Sequence, residues 1–411
     1  MQVRKIAVVG AGHAGVQAAA SLREEGFEGT IILYGEETDF PYHRPPLSKA
    51  YLKGGLDDAG VPLRAAQYFA ENRIELRLGG RVGKIDRAAF RLETDGGVSD
   101  AYDALILATG AKPRAFDVPG AELPGVHALR NLADARKLRS RLVAGRRLVV
   151  VGAGFIGLEI AATARAFGMD VDIAEIATRP MGRAISEITS AFFLDAHKAF
   201  GARFHLGRGV REISAGGGGS LSVTLSDGTR LPADSVVAGV GVLANDDLAR
   251  EAGLACENGV AVNDRLETSD SAISAIGDCA AFPAPGLARP IRLESVQNAT
   301  DQARCVARRL TGRPEAYGAL PWFWSDQGDL KLQIAGLSIG VDGWVMRGDP
   351  QSRSFSVFGF RGAELAAVES VNRGADHMAA RRILAARTPL SPAQAADPQF
   401  DLRRITTAAV A

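Results

Sequence analysis

The chain carries one glycine-rich pattern twice, and both copies stand in the same surroundings. The first, GAGHAG at residues 10–15, follows the apolar run 6–9, and the second, GAGFIG at residues 152–157, follows the run 147–151, which is apolar from residue 148. A segment rich in small apolar residues comes after each copy. A GxGxxG pattern between a strand and a helix is the fingerprint of a βαβ dinucleotide-binding module. The sequence therefore predicts two such modules.

An acidic residue stands at the end of the second strand of each predicted module. Glu36 lies 21 positions after the last glycine of the first copy, and Glu175 lies 18 positions after that of the second. A carboxylate at this place accepts hydrogen bonds from the adenosine ribose and repels the 2′-phosphate of NADP. The second module is therefore expected to prefer NADH, although Arg179 and Arg183 could accommodate a phosphate.

Length and composition fit a globular enzyme of several domains. With 411 residues the chain is too long for one ordinary core. Its 48 basic and 47 acidic residues leave a net charge of +1, which argues against nucleic-acid binding. From about Trp322 a pattern of alternating strands runs on to a helix around 378–386, which predicts a small α+β domain.

The cysteines indicate a reducing environment. Cys256, Cys279 and Cys305 are widely separated and form no CxxC pair, so neither a disulfide framework nor a metal site is expected. The first residues run directly into a predicted strand, and no apolar stretch approaches the roughly 20 residues that span a bilayer. We therefore expect a cytoplasmic protein.

Further motifs give the chain a specific resemblance. They are PYHRPPLSK at 41–49, ATG at 108–110, GFIGLE at 154–159, IGD at 276–278, ESVQN at 294–298 and PWFWSDQ at 321–327. In this order, and with the two glycine motifs, they resemble the FAD-dependent ferredoxin reductases that serve bacterial oxygenases. That family is related in fold to glutathione reductase, and the resemblance covers essentially the whole chain.

The resemblance implies a fold and a division into domains. The fold would be α/β, with two Rossmann-like dinucleotide-binding domains of the glutathione-reductase-like type and a small α+β C-terminal domain. Residues 1–115 and 245–320 would form a discontinuous FAD-binding domain. Residues 116–244 would bind NADH, and residues 321–411 would form the C-terminal domain.

The resemblance also implies which residues hold the cofactors. Those that would bind FAD are Gly10, Gly12, Ala14, Gly15, Glu36, Arg44, Lys49, Val82, Ala108, Thr109, Gly110, Arg130, Asp278 and Val296. Those that would bind NADH are Gly152, Gly154, Ile156, Gly157, Glu159, Glu175 and Arg183. Asp278 would bind the ribityl chain of FAD, and Glu159 would lie near the nicotinamide.

Three residues are candidates for the catalytic centre: Lys49, Glu159 and Trp324. A lysine near the flavin would stabilise the negative charge of its reduced form, and a buried lysine needs an acidic partner, for which we choose Glu159. Trp324 would lie against the flavin edge. Simpler readings remain open: a solvated Lys49, a Glu159 paired with Arg165, and plain core packing for Trp324.

The flavin is expected to pass its electrons to another molecule, because the region around Lys49 has no thiol of the kind that glutathione reductases use. The resemblance implies a hydride from NADH to FAD, then single electrons to a 2Fe–2S ferredoxin that feeds a monooxygenase or dioxygenase. Ferredoxins are usually acidic, and Arg304 and Arg308 share one helix face on which such a partner could dock; a solvated face is an equal alternative. Other candidates are an NADH-dependent reductase of a quinone, monodehydroascorbate or rubredoxin, and a flavoprotein like apoptosis-inducing factor.

Overall fold

The computed structural model describes residues 3–407, and these form two compact units. The first unit comprises the described residues up to Arg44, together with Asp57–Lys112 and Val242–Ala319. The second comprises Pro45–Leu56, Pro113–Gly241 and the described residues from Leu320 onward. The segment Pro45–Leu56 therefore belongs to the second unit, although its neighbours in sequence belong to the first.

The chain is rich in both strands and helices. The strands are β1 (Lys5–Val9), β2 (Thr30–Gly35), β3 (Ile74–Leu78), β4 (Val82–Asp86), β5 (Arg91–Thr94), β6 (Ser99–Ala101), β7 (Ala104–Leu107), β8 (Ala111–Pro113), β9 (Val126–His127), β10 (Arg147–Val151), β11 (Asp170–Glu175), β12 (Arg203–Leu206), β13 (Val210–Ala215), β14 (Leu221–Leu225), β15 (Arg230–Ala233), β16 (Ser235–Ala238), β17 (Val242–Ala244), β18 (Val260–Ala261), β19 (Ile273–Ala275), β20 (Ala280–Ala281), β21 (Trp322–Gln327), β22 (Leu330–Gly336), β23 (Gly343–Asp349), β24 (Ser354–Arg361) and β25 (Glu364–Val371). The helices are α1 (His13–Glu24), α2 (Ala66–Glu71), α3 (Leu132–Arg139), α4 (Phe155–Ala166), α5 (Glu187–Ala199), α6 (Asp247–Glu251), α7 (Val296–Leu310), α8 (Gly374–Ala386), α9 (Pro392–Ala396) and α10 (Leu402–Thr407). Within residues 3–407, no helix has the length and apolar character that crossing a membrane requires.

The first unit is built on a parallel sheet with the strand order β19-β7-β1-β2-β3. Its central strand, β1, is apolar and buried from Ile6 to Val9, as expected for a strand covered on both faces. Helix α1 follows β1 directly and packs against α7. A small antiparallel sheet, β4-β5-β6, is also part of this unit. The first predicted βαβ module is therefore present as β1-α1-β2.

The second unit repeats this plan and adds an antiparallel domain. Its parallel sheet has the order β12-β11-β10-β16-β9, and β10-α4-β11 is the second predicted module. The C-terminal sheet has the order β21-β22-β25-β24-β23, and α8 packs against β22 and β25. Helix α8 begins at Gly374, four residues before the predicted start at Met378, because the polar first turn of α8 hides its periodicity in the sequence. Both modules and the α+β C-terminal domain are confirmed.

Candidate cofactor sites and catalytic residues

The glycines of the first motif divide into two kinds. A side chain at Gly10, where φ is +112°, would collide with the carbonyl oxygen of Ala108, and one at Gly15 would collide with that of Gly10. A Cβ at Gly12, by contrast, would meet no atom of the described residues within 4 Å. The first and third glycines are therefore required by the fold itself, whereas the second leaves the backbone open to a ligand.

The second motif has the same division. A side chain at Gly152, where φ is +100°, would collide with the carbonyl oxygen of Gly239, and one at Gly157 would collide with that of Gly152. Gly154 faces open space, with no atom of the described chain within 4 Å of a Cβ placed there. Close approach of a pyrophosphate to the backbone requires such an opening. Both motifs thus have the form that a dinucleotide needs.

The N-termini of α1 and α4 supply donors at these openings. Gly12 and Gly154 are the N-cap residues, and neither can provide the side-chain oxygen that usually caps the first N–H groups of a helix. Uncapped N–H groups together with the helix dipole bind phosphate groups. Ala14 is buried in the first turn of α1, and Ile156, in the first turn of α4, is 46% exposed.

The two acidic residues predicted to bind ribose lie at the ends of β2 and β11. Glu36 follows β2 directly and is exposed. Glu175 is the last residue of β11, and its carboxylate accepts hydrogen bonds from the backbone N–H of Ala153 at 2.6 Å and of Ala177 at 2.8 Å. Glu175 therefore fastens the glycine turn of its own module and sets a negative charge beside that turn.

The two arginines near Glu175 differ in their hydrogen bonds and in their exposure. Arg179 donates hydrogen bonds to the carbonyl oxygens of Gly182 at 2.7 Å and Ile185 at 2.9 Å. Arg183 is exposed. The guanidinium of Arg179 is thus engaged in holding its own loop, and this weakens the sequence-based argument that it accommodates a 2′-phosphate.

Arg44 pairs with an acid that sequence reasoning missed. Its guanidinium lies 2.7 Å from Glu37, which also accepts a hydrogen bond of 2.5 Å from the Tyr42 hydroxyl. Glu37 stands next to Glu36 in the sequence, and only the glycine spacing drew attention to Glu36. The two adjacent glutamates in the sequence were the signal from which Glu37 could have been identified.

The ATG motif is fixed by a residue far along the chain. The Thr109 hydroxyl donates to the carbonyl oxygen of Asn245 at 2.6 Å, and the Asn245 amide donates back to the carbonyl oxygen of Thr109 at 3.0 Å. Gly110 has a φ of +71°, which a glycine adopts without strain. Ala108 and Val82 are buried in the same unit. Asn245 had no sequence signal, because the pairing joins residues 136 positions apart.

Asp278 lies in a tight turn that follows β19. The turn spans Gly277–Cys279, and the N–H of Gly277 donates to the Gln302 side chain at 2.7 Å. That bond is accepted by the amide oxygen of Gln302, whereas its amide nitrogen Nε2 is buried and has no partner among the described residues. Val296 is the first residue of α7, which begins in the same unit. An orphaned donor beside the predicted ribityl-binding turn is consistent with a bound polar group.

Lys49 and Glu159, which were paired once the resemblance was known, form an ion pair whose carboxylate is buried and whose lysine side chain is 18% exposed. The ammonium lies 2.6 Å from the carboxylate, and the Glu159 side chain is only 3% exposed. Lys49 also donates to the carbonyl oxygen of Pro45 at 3.0 Å and to the Ser48 hydroxyl at 3.2 Å. The alternative partner of Glu159, Arg165, instead donates to the carbonyl oxygen of Phe200 at 2.9 Å. The alternative interpretation, in which Lys49 is a solvated surface residue, is therefore wrong.

The two tryptophans of β21 lie on one face, as their alternation predicts. The ring centroids of Trp322 and Trp324 are 5.6 Å apart. The guanidinium of Arg381 lies 4.5 Å from the Trp322 ring centroid, and the His377 ring is 5.9 Å away. Trp322 thus belongs to a cluster within the C-terminal domain, and the flavin-edge role of Trp324 remains a prediction.

The thiols do not have the properties of redox centres. All three cysteines are free. Cys279 is fully buried and Cys305 nearly so, and burial raises the pKa of both thiols, that of Cys305 to about 11. Burial also raises the pKa of Cys256. Since the thiolate is the reactive form, burial disfavours redox chemistry at these groups near neutral pH.

The arginines proposed for docking are already paired with acids. Arg304 lies 3.6 Å from Asp301, and Arg308 lies 2.7 Å from Glu315. Both are partly exposed. These pairs reduce the local positive charge that an acidic partner would meet.

Arg130, whose backbone N–H donates to Asp134 at 3.0 Å, lies in the second unit with Lys49, whereas the other residues assigned to FAD lie in the first.

Comparison with known families identifies the class of protein. Residues 4–303 match the family described as pyridine nucleotide-disulphide oxidoreductase, and residues 322–406 match the reductase C-terminal family. The chain therefore belongs to the pyridine nucleotide-disulphide oxidoreductase family. It is a flavoprotein oxidoreductase that uses FAD and NADH, as the motifs predicted.

Individual relatives extend the likeness over the whole chain. The chain is 52% identical over 398 residues to rhodocoxin reductase of Rhodococcus erythropolis, covering 97% of this chain and 93% of that protein. The ferredoxin reductase for the CYP199A2 system of Rhodopseudomonas palustris superposes with a TM-score of 0.96 at 48% identity, over 98% of this chain and 100% of that one. Putidaredoxin reductase in its covalent complex with putidaredoxin has a TM-score of 0.96 at 39% identity, over 100% of both chains. The predicted glutathione-reductase-like fold is thereby confirmed.

Proposed function

We propose that this chain is an NADH-dependent ferredoxin reductase, which takes a hydride from NADH onto FAD and passes electrons singly to a 2Fe–2S ferredoxin that feeds a monooxygenase or dioxygenase. The observation that carries the proposal is the combination of two open glycine turns with a buried Lys49–Glu159 pair and no reactive thiol among the described cysteines. The names of the relatives support the same reaction.

The proposal assigns one cofactor to each module. FAD is held by the module at Gly10–Gly15, within a domain of residues 1–115 and 245–320, and NADH by the module at Gly152–Gly157, within residues 116–244. Residues 321–411 form the third domain, and of these residues 408–411 lie outside the described part of the chain. Bound FAD would supply the ability to accept two electrons together and to release them one at a time. The chain supplies backbone N–H groups that donate to phosphates at two helix N-termini. It also supplies an acid for each ribose, Glu36 in the first module and Glu175 in the second.

The catalytic roles rest on charge. The Lys49 ammonium is assigned to the negative charge that the flavin gains on reduction. Burying an ammonium is costly unless a carboxylate lies beside it, and Glu159 meets this need at 2.6 Å. All three N–H groups of Lys49 have acceptors, which fixes the charge in one place. Trp324 is assigned to the flavin edge as a shield against solvent.

Specificity for NADH is assigned to Glu175. Its carboxylate is held beside the glycine turn by two backbone N–H groups, so the charge cannot swing away from an incoming 2′-phosphate. Arg179 donates to carbonyl groups of its own loop and forms no ion pair with Glu175 among the described residues. Of the two nearby arginines, Arg183 has the more exposed guanidinium for the pyrophosphate.

The ferredoxin is assigned to the surface that carries Arg304 and Arg308. Docking would replace Asp301 and Glu315 by acidic groups of the partner, so the net gain per pair is modest and sensitive to salt. Reversing both arginines to glutamate should slow ferredoxin reduction about tenfold at low salt and leave ferricyanide reduction unchanged. Reversing Arg403, an exposed arginine of α10, is the matched control. Equal loss with both acceptors would argue against docking at this surface.

The experiment that tests the function is an anaerobic titration of the yellow protein with NADH. One equivalent should bleach the flavin, and added 2Fe–2S ferredoxin should restore the colour within the time of a turnover. Rubredoxin, a quinone and monodehydroascorbate are the acceptors to compare. Slow bleaching with a persistent long-wavelength band, and no faster recovery with any acceptor, would instead favour a flavoprotein like apoptosis-inducing factor.

A further inference from the structure

A buried series of hydrogen bonds leads from the Lys49–Glu159 pair to a histidine. The Ser325 hydroxyl lies 2.7 Å from one Glu159 carboxylate oxygen, and Gln327 Nε2 lies 3.2 Å from that hydroxyl. Gln327 Oε1 lies 2.8 Å from Nε2 of His197. Ser325, Gln327 and His197 are fully buried, and all the members lie in the second unit. The motifs that indicated the function give these three residues no role.

The charge of Glu159 fixes the direction of every bond in the series. Its other oxygen accepts from the Ser48 hydroxyl at 2.5 Å and from the Lys49 ammonium at 2.6 Å, so Glu159 is an ionised acceptor with no proton to give. Ser325 must therefore donate to Glu159. Its own oxygen then accepts from the Gln327 amide, which leaves Gln327 Oε1 to accept from His197.

The state of His197 agrees with this direction. Burial lowers the pKa of His197 to about 4, so the ring is neutral at pH 7 and carries one proton. The bond to Gln327 requires that proton on Nε2, and Nδ1 has no partner among the described residues. Three donors thus point in one direction and end on a carboxylate oxygen. In a buried site such bonds polarise one another and stabilise the charge on which they end.

Ser325 is the donor on the side of Glu159 that faces away from Lys49. Without it, Oε1 would have no donor among the described groups, and the negative charge would concentrate at Oε2 beside the ammonium. A more tightly neutralised Lys49 exerts a weaker positive field on its surroundings. Strand β21, which carries Ser325, also contacts α4 through the rings of Phe323 and Phe155, whose centroids are 4.6 Å apart.

We propose that Ser325 and Gln327 are positioning residues for the Lys49–Glu159 pair, and that the one-way series from His197 keeps part of the carboxylate charge away from the ammonium. This inference rests on the proposed function, in which the ammonium acts on the flavin. The C-terminal domain thereby contributes to the charge of the catalytic pair through β21.

The test compares Ser325→Ala with Ser356→Ala in the holoenzyme. Ser356 is a matched control, because it is also fully buried in the C-terminal sheet and its hydroxyl also lies near a carboxylate, that of Asp376 at 3.1 Å. Ser325→Ala should make the flavin midpoint potential more negative, measured by dye equilibration. It should also slow flavin reduction at saturating NADH about tenfold, as expected for one lost hydrogen bond to a charged group, with unchanged NADH affinity. Ser325→Thr, which keeps the hydroxyl, should restore both values, and Ser356→Ala should shift neither.

Other outcomes separate this inference from the proposed function. An unshifted potential in Ser325→Ala, or an equal shift in both alanine variants, would overturn the inference while a yellow, NADH-reducible wild type upheld the reductase. A wild-type protein that binds no FAD would overturn both. If Ser325→Ala does not fold, Gln327→Met, which nearly conserves volume, should shift the potential in the same direction and slow reduction about threefold. No shift in that variant would likewise overturn the inference.

Discussion

Replacing Gly154 by alanine should separate the binding of NADH from the stability of the fold. Gly154 has a φ of −78°, which alanine adopts freely, and its Cβ would meet no atom of the described residues within 4 Å. Alanine at an N-cap costs about 0.5–1 kcal/mol relative to glycine. The lower entropy of the unfolded chain returns about 0.4–1 kcal/mol. The free energy of unfolding should therefore change by less than about 1 kcal/mol.

NADH binding should respond differently. A methyl group at the opening would move the pyrophosphate away from the N–H groups of α4, and a hydrogen bond to a charged group contributes about 1.5–3 kcal/mol. A loss of about 2 kcal/mol corresponds to an affinity about 30-fold lower. The measurements are the thermal midpoint, the FAD content from absorbance, and NADH affinity by anaerobic titration. Near-wild-type NADH affinity would refute our interpretation of the opening.

Gly157→Ala is the contrasting variant. Its Cβ would collide with the backbone carbonyl oxygen of Gly152, which cannot rotate away as a side chain can. Overlap with backbone in a close-packed interior costs about 1–3 kcal/mol or more. This variant should have a lower free energy of unfolding than wild type, and any decrease in NADH affinity should follow from that loss of stability. A Gly157→Ala protein as stable as wild type would show that the glycine turn is looser than the structure indicates.

Three further predictions concern charge and thiols. Glu175→Gln removes the charge and keeps one of the two oxygens that accept backbone N–H groups, so NADPH should become about tenfold more competitive with NADH; unchanged selectivity would remove the role given to this carboxylate. Replacing Cys279 and Cys305 by alanine should leave the rate of ferredoxin reduction within about twofold of wild type, provided that the protein folds, and a loss of flavin reduction specific to these variants would contradict an external acceptor. Burial lowers the pKa of His197 and His377 to about 4, so the unfolded chain binds more protons below its ordinary histidine pKa, and the free energy of unfolding should fall as the pH is lowered from 7 to 5. A urea series at both pH values checks this, and His377→Phe should flatten the dependence.

The sequence was informative where function depends on local spacing. The two βαβ modules could be predicted because glycine positions, strand and acid all lie within about 30 residues. The Lys49–Glu159 pair could be predicted only through the resemblance, since its members lie 110 positions apart. The bond from Glu175 to the glycine turn was not predicted, although the carboxylate itself was identified.

Contacts between distant segments were the part that sequence reasoning could not supply. Ser325 reaches Glu159 across 166 positions, and Gln327 reaches His197 across 130. No periodicity links such residues, because β21 meets Glu159 by packing against α4 and meets His197 through a separate contact with α5. The acids paired with Arg304 and Arg308 were missed for a different reason: helical spacing shows which residues share a face but does not show which neighbours neutralise them.

The burial of two of the three thiols makes this chain suitable for spectroscopy with attached probes. With Cys279 and Cys305 buried, Cys256 is the single native thiol of intermediate exposure, and serine there would leave a surface with almost no reactivity toward maleimides or nitroxide reagents. A spin label on a cysteine introduced beside the α7 arginines would then relax faster when a paramagnetic reduced cluster approaches. Distances to the docked redox partner become measurable in solution, without a crystal of the complex.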